Sequence, residues 1–306
     1  MKFALSTSWN SQRHGSGRAI VEEIKALGFD EIELSFSLTI QMVDQIHSAQ
    51  KDGLINVVSL HNFCPIPEGL PRFKASPDYY SLSSPNEEER ARALLETKHT
   101  IDTATKLGAK FVILHTGRVE VDPGRLRWFY SRVRKNVRHE ELLKADLIKE
   151  RESKKERYLS SAMRSLEELS DYSQKVGVLL GIENRYYLHE IPSLDEIEII
   201  LDRFGDTKIS YWHDTGHAQV SENLAICKHK DYLDRFGARM MGVHLHDVVG
   251  CDDHRAPGKG NLDFRVLTPY LKEETCLVFE PHYPATDRQI KKGVRYLENL
   301  FDKKVR

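Results

Sequence analysis

The sequence predicts an α/β protein built as a (β/α)8 barrel. Three observations point there. Eight short apolar, β-branched runs recur along 306 residues. Segments of helical periodicity lie between them. The runs also finish repeatedly on His, Asp or Glu, as strands do whose C-terminal ends meet on one functional face.

The first run, FALSTS (3–8), precedes GRAIVEEIKALG (17–28), which places Ile20, Ile24 and Leu27 on one helical face. EIELSF (31–36) and INVVSLH (55–61) follow. NEEERARALLETKHTIDTATKLG (86–108) opens with acidic residues and stops at Gly108, as helix ends do, and leads into KFVILHT (110–116). After VLLGIEN (178–184), SLDEIEIILDRFG (193–205) begins on a Ser cap and ends on Gly. KISYWHD (208–214), MGVHLHD (241–247) and CLVFEPH (276–282) complete the eight. A doubly wound sheet would need a glycine-rich phosphate loop after an early strand, and there is none. With no linker or Pro/Ser-rich boundary, residues 1–306 are expected to form a single domain.

One region breaks the rhythm. Residues 117–160, after strand four, exceed what a loop and helix need and read as a helical, basic insertion. From Arg118 to Arg157 there are 13 Lys/Arg against 8 Asp/Glu, and RLRWFYSRVRKNVR (125–138) holds six basic residues and no acid. Such a segment suits a solvated helical extension or a subunit contact, which makes a homo-oligomer possible. It also suits a lid that attracts an anionic, phosphorylated substrate.

Composition narrows the function. A net charge of −1 argues against a dedicated nucleic-acid binder, which carries a basic domain. Cys64, Cys227, Cys251 and Cys276 form no C-x-x-C pair and no disulfide framework, so a reduced cytoplasmic setting is expected. The N-terminal MKFALSTSWNSQ has too short an apolar run for a signal peptide, and no segment approaches the length of a membrane span.

The strand ends carry the chemistry. Strand three ends in His61, strand four in His115 and strand five in Glu183-Asn184. Strand six ends in HDTGH (His213, Asp214, His217), strand seven in His244, His246 and Asp247, and strand eight in Glu280 and His282. One strand-end histidine is ordinarily a satisfied structural residue; six strands of eight ending on ligand types imply a shared metal site. Side chains alternate along a strand, so His244 and His246 face the same way and only one of His213 and Asp214 faces inward. His217 lies three residues past Asp214, where a turn brings both to one ion. Asp252 and His254 sit two apart in the next loop. Histidine with carboxylate suits zinc, manganese or iron better than magnesium. Asp247 and Asn184 are candidate acceptors behind the ligand histidines.

These motifs resemble those of the xylose-isomerase-like TIM barrels, which include sugar and sugar-phosphate isomerases and epimerases and the endonuclease IV class of abasic-site nucleases. The resemblance rests on GIEN (181–184), HDTGHA (213–218), VHLHD (243–247), DDHRAPGKGNLDF (252–264) and FEPH (279–282), in this order on these strands. It implies a core metal held by Glu183, Asp214, His246 and Glu280, with Glu183 and Glu280 as the catalytic acid/base pair and His217 on substrate. The nuclease branch implies further ions on His61, His115, His217, Asp252 and His254. The chain departs from the nuclease where that enzyme has a DNA-penetrating tyrosine, since Cys64 stands there, and FSLTI after strand two lacks its DNA-contacting arginine.

Three functions follow. The first is a divalent-metal-dependent sugar or sugar-phosphate isomerase or epimerase working by proton abstraction and a metal-stabilised enediolate. The second is a di- or trinuclear zinc phosphoester hydrolase. The third is a barrel that binds metal and a small ligand without turnover, or catalyses another reaction such as dehydration. One to three zinc or manganese ions per chain are expected, and the count separates the first two. Arg185 and Lys259 are candidate anion contacts on substrate. Trp9 and Phe63 are a candidate apolar wall for a sugar ring, and Cys251 reads as a bystander.

Overall fold

The computed structural model describes residues 2–133 and 140–301. Eight parallel strands close into a barrel: β1 (Ala4–Ser6), β2 (Glu31–Leu34), β3 (Asn56–His61), β4 (Phe111–Leu114), β5 (Leu179–Glu183), β6 (Ile209–Asp214), β7 (Met240–Leu245) and β8 (Cys276–Phe279). Each pairs with its sequence neighbours, and β1 closes the ring on β8. Seven lie within the sequence runs, and β7 starts one residue before its run.

The helices α1 (Gly17–Ala26), α2 (Ile40–Lys51), α3 (Glu87–Leu107), α4 (Pro123–Val133), α5 (Glu141–Val176), α6 (Leu194–Phe204), α7 (Thr215–Asn223), α8 (His229–Phe236) and α9 (Asp287–Phe301) lie between and after the strands. The ends follow the local chemistry. Asn86 caps α3 by accepting from the N–H groups of Glu88 and Glu89, and Gly108 ends it at φ +67°. Ser193 and Glu196 form a reciprocal capping box on α6. Each such cap stabilises its helix by about 1 kcal/mol.

Alternation along the strands sends one set of side chains to the helices and the other into the barrel. Ala4, Phe111, Ile113, Trp212 and Val278 fill the lower interior. Trp212 fits because its neighbours are glycines: a Cβ at Gly242 would lie 2.1 Å from the indole, and one at Gly181 3.0 Å. This packed plug is the floor on which the polar layer stands.

The region 117–160 is helical in large part. Gly117–Arg118 pairs antiparallel with Glu190–Ile191, then come α4 and the first part of the 36-residue α5. Among the described residues, several of its basic side chains are engaged within the insertion or against α6 rather than at the barrel mouth. Arg125 pairs with Asp146 (3.1 Å) and Arg132 with Glu140, while Arg151 is buried against Glu196 (2.5 Å). Arg134, Lys135 and Arg138 lie outside the described residues. What α4 does supply is Tyr130, whose hydroxyl accepts from the N–H of Leu188 (2.9 Å) and whose ring packs on Tyr186 and Tyr187 in the loop after β5. Among the described residues, no helix is long and apolar enough to cross a membrane.

Candidate active site

At the C-terminal end of the barrel, ligand atoms of Glu183 (β5), Asp214 (β6), His244 (β7) and Glu280 (just past β8) all lie within 4.8 Å of one another, and all four residues are buried. The Nδ1 of His244 lies 2.6 Å from Glu183 Oε1, 3.3 Å from Glu280 Oε2 and 3.7 Å from Asp214 Oδ2. Its Nε2 faces Glu33 Oε2 at 3.1 Å, and Ser59 Oγ donates to the same carboxylate at 2.8 Å. A carboxylate behind the imidazole fixes the ring and directs its other nitrogen to the cluster, the usual arrangement behind a metal-bound histidine.

Two further groups flank the first. His61, His115 and Glu183 bring ligand atoms within the same 4.8 Å. His115 Nε2 is 3.0 Å from Glu183 Oε2, and its Nδ1 is 2.9 Å from Asp78 Oδ2. The other group is His217, His246 and His254. His246 accepts the N–H of His254 on Nδ1 (2.9 Å), so its Nε2 carries the proton toward Asp214 Oδ2, also at 2.9 Å. His217 is held by the Asn184 carbonyl at 3.0 Å. Asp253 Oδ2 lies 3.7 Å from both His217 and His254. Gly216 is what lets His246 in, since a Cβ there would sit 2.2 Å from its ring.

The donor set fits a divalent cation. Glu33, Glu183, Asp214 and Glu280 are buried together. The nearby buried cation, Arg185, is already shared among Glu183 (2.7 Å), Glu190 (2.9 Å) and Asp78 (3.5 Å). Burial and the carboxylates of Glu33, Asp214 and Glu183 push Glu280 up to about 8 against the His244 attraction, as expected where a positive charge is wanted. Burial acts the same way on Glu183, but hydrogen bonds from His115 and His244 hold it well below its usual range. Burial and neighbouring imidazoles push His61 and His254 down to about 4, which keeps both in the neutral form a metal requires. His246, despite burial, is raised to about 9 by Asp214.

Several sequence expectations need correction. The resemblance put His246 in the core set, but His244 stands there and His246 one layer out. Both face inward, and the β6–β7 register that pairs Asp214 with His244 sets the depth. Asp252 is exposed and pairs with Arg255, while Asp253 turns inward. Arg185 is buried and bound by three carboxylates, so it is not free to clamp an anion. Lys259 is exposed on a neighbouring cavity rather than in this pocket. Asp247 serves no histidine; its carboxylate accepts the N–H groups of Val248, Gly258, Lys259, Gly260 and Leu262. Trp9 and Phe63 are buried in the core, and Phe36, Pro77, Tyr186 and Tyr187 form the apolar wall instead. His61, His115, Glu183, His217, His254 and Glu280 do line one pocket of about 250 Å³.

Glu33, Asp78 and Asp253 escaped the sequence reading. For Glu33 a signal existed: a carboxylate at an inward position between Ile32 and Leu34.

Comparison with known proteins agrees with the fold. A family model described as xylose isomerase-like TIM barrel matches residues 21–300. An uncharacterized protein of Methanocaldococcus jannaschii is 25% identical over 200 residues, 63% of this chain; the match spans 62% of that relative's length. A D-tagatose 3-epimerase-like protein of known structure superposes with a TM-score of 0.69 at 19% identity, covering 100% of both chains. IolI protein with a bound zinc atom superposes at 0.66 and 14% identity, covering 99% of both.

Proposed function

Because the chain belongs to the xylose isomerase-like TIM barrel family, we propose that it is a divalent-metal-dependent isomerase or epimerase of a sugar or sugar phosphate, with zinc or manganese as the ion. The observation that carries this reading is geometric. Glu183 and Glu280, on strands three apart around the barrel, bring their carboxylates to one buried cluster at the base of a small polar pocket. At about 250 Å³ the pocket is smaller than the roughly 300–1,000 Å³ of sites for drug-sized ligands. A small polyhydroxylated molecule fits it.

Glu183, Asp214, His244 and Glu280 would hold the ion. When bound, the ion supplies electrostatic stabilisation of an enediolate. The protein supplies the proton transfers. Glu183, kept ionised by His115 and His244, is the group suited to take a proton from the substrate carbon. Glu280 is the group suited to deliver one. Both carboxylates line the same pocket, so one can take the proton and the other return it. Asp78 and Glu33 position His115 and His244, and Phe36, Tyr186 and Tyr187 keep water from the reacting carbon.

A second reading, a di- or trinuclear zinc phosphoester hydrolase, is favoured by one observation. Three groups of ligand atoms adjoin, and two of them share Glu183. Elemental analysis of protein purified without chelator separates the readings. The isomerase account expects about one ion per chain, unchanged by His61→Ala and by His254→Ala. Two or three zinc ions, lost stepwise in those variants and accompanied by hydrolysis of bis(p-nitrophenyl) phosphate, would establish the hydrolase instead.

A further inference from the structure

Beside the catalytic pocket lies a second cavity of about 450 Å³, and the two share Asp253, His254 and His282 as a common wall. That wall is rigid. The rings of His254 and His282 stack 3.6 Å apart and 7° from parallel. The His282 N–H donates to the His254 carbonyl at 2.9 Å, and His254 Nδ1 meets the Glu280 carbonyl at 3.1 Å. The Nε2 of His282 is buried and has no hydrogen-bond partner among the described residues.

The far side is built from the GKGN turn, the one strong motif the catalytic pocket does not use. The N–H groups of Gly258, Lys259 and Gly260 all donate to Asp247 Oδ2 at 2.8–3.0 Å. A Cβ at Gly260 would meet Asp247 Oδ1 at 2.4 Å, so only glycine allows this close approach. The turn therefore presents Lys259 from a fixed base, and among the described residues its ammonium has no ion-pair or hydrogen-bond partner. Tyr283, 71% exposed, offers a ring face at the same cavity. The charges balance: Arg255 is held by Asp252, and Lys259 faces the single remaining acid, Asp253. A phosphate there would meet two carboxylates and one free cation. A neutral, hydroxyl-rich ring would meet an aromatic face, the Lys259 ammonium and the Gln289 amide.

We propose that this second cavity is a glycosyl subsite, so that the substrate is a disaccharide or glycoside. Its reacting unit occupies the catalytic pocket, and its second sugar ring lies between Tyr283 and Lys259. The proposal rests on the sugar isomerase/epimerase reading of the catalytic pocket and narrows its substrate class.

The test is calorimetric titration of manganese-loaded protein with D-fructose and with three disaccharides that carry fructose as the reducing unit: isomaltulose, maltulose and lactulose. At least one disaccharide binds about tenfold more tightly than D-fructose, a difference of about 1.4 kcal/mol. Tyr283→Ala and Lys259→Ala, both at exposed side chains, each reduce that ratio by about fivefold, the readout being the ratio within each variant. If D-fructose binds as tightly as every disaccharide, or if the disaccharide advantage survives both substitutions, the subsite is overturned and the sugar reading stands. If neither D-fructose nor any disaccharide binds, the sugar reading itself has failed and the subsite falls with it.

Discussion

Glu33→Gln isolates the group that orients the central histidine. Glu33 is fully buried, accepts from Ser59 Oγ at 2.8 Å and lies 3.1 Å from His244 Nε2. Both donors meet the same oxygen, Oε2, so with the charge removed an amide oxygen there can still accept both but draws the imidazole proton to Nε2 less strongly. His244 Nδ1 is then less often free toward Glu183, Asp214 and Glu280. Loss of a carboxylate behind a ligand histidine weakens metal binding by about 10–100-fold. The retained volume and retained hydrogen bonds put Glu33→Gln near the lower figure, about tenfold or about 1.4 kcal/mol. Glu33→Ala, which leaves both donors without an acceptor, belongs near the upper figure. Competition titration of zinc against a chromophoric chelator measures this directly, and circular dichroism controls for folding. Affinities within about twofold of the parent protein for both variants would refute the assignment of Glu33 as the orienting group.

Three other perturbations have worked outcomes. Gly216→Ala places a Cβ 2.2 Å from the His246 ring, so it is expected to destabilise by about 1–3 kcal/mol and to lower metal affinity, both read by thermal melts with and without zinc. Asp247→Ala removes the acceptor of five backbone N–H groups. It should cost about 2–4 kcal/mol and expose the 258–262 turn to proteolysis, whereas an unchanged digestion pattern would contradict the role given to Asp247. The third concerns pH. In metal-free protein Glu280 is raised from 4.5 to about 8, and the carboxylates around it raise His244 well above 6.5 despite burial. The folded state therefore keeps protons that the unfolded chain has released, and metal-free stability falls as pH rises through this window, to about pH 9. The depressed Glu183 and Asp214 contribute their stabilisation above ordinary carboxylate acidities and add no slope here. The rise in Tm on adding zinc should accordingly grow from about pH 6 to about pH 9, and a metal-free Tm that climbs over that range would contradict the assignment.

The barrel was legible because its signal is periodic and local. Short β-branched runs, helices that open on Asn86 or Ser193 and stop at Gly108, and ligand residues at run ends all follow from chain-local preferences. Alternation also showed that only one of His213 and Asp214 turns inward, and the family resemblance pointed to Asp214. Depth was not legible. His244 and His246 share a face, and only the β6–β7 pairing, which no run of residues encodes by itself, puts His244 level with Asp214. The Asp252/Asp253 choice was hidden for a related reason. The hairpin that carries them shifts register between Asp247 and Val249, so two-residue counting cannot be carried through it. Arg185 looked like an anion clamp because Asp78, which helps neutralise it, comes from another loop, and Glu190 reaches it only through the path of its own loop. Contacts of that kind depend on loop paths set by tertiary packing.

The central claim is that Glu183 and Glu280 move a carbon-bound proton of a sugar. Its most direct test is proton NMR of D-tagatose, D-fructose and isomaltulose in D2O with manganese- or zinc-loaded protein. The account predicts that deuterium from solvent replaces one carbon-bound hydrogen next to the carbonyl of at least one of these sugars. It also predicts that Glu280→Gln, measured at saturating metal, slows the exchange by about 10²–10⁴-fold. Isomerised or epimerised product formed without deuterium uptake, or exchange undiminished in Glu280→Gln, would contradict it.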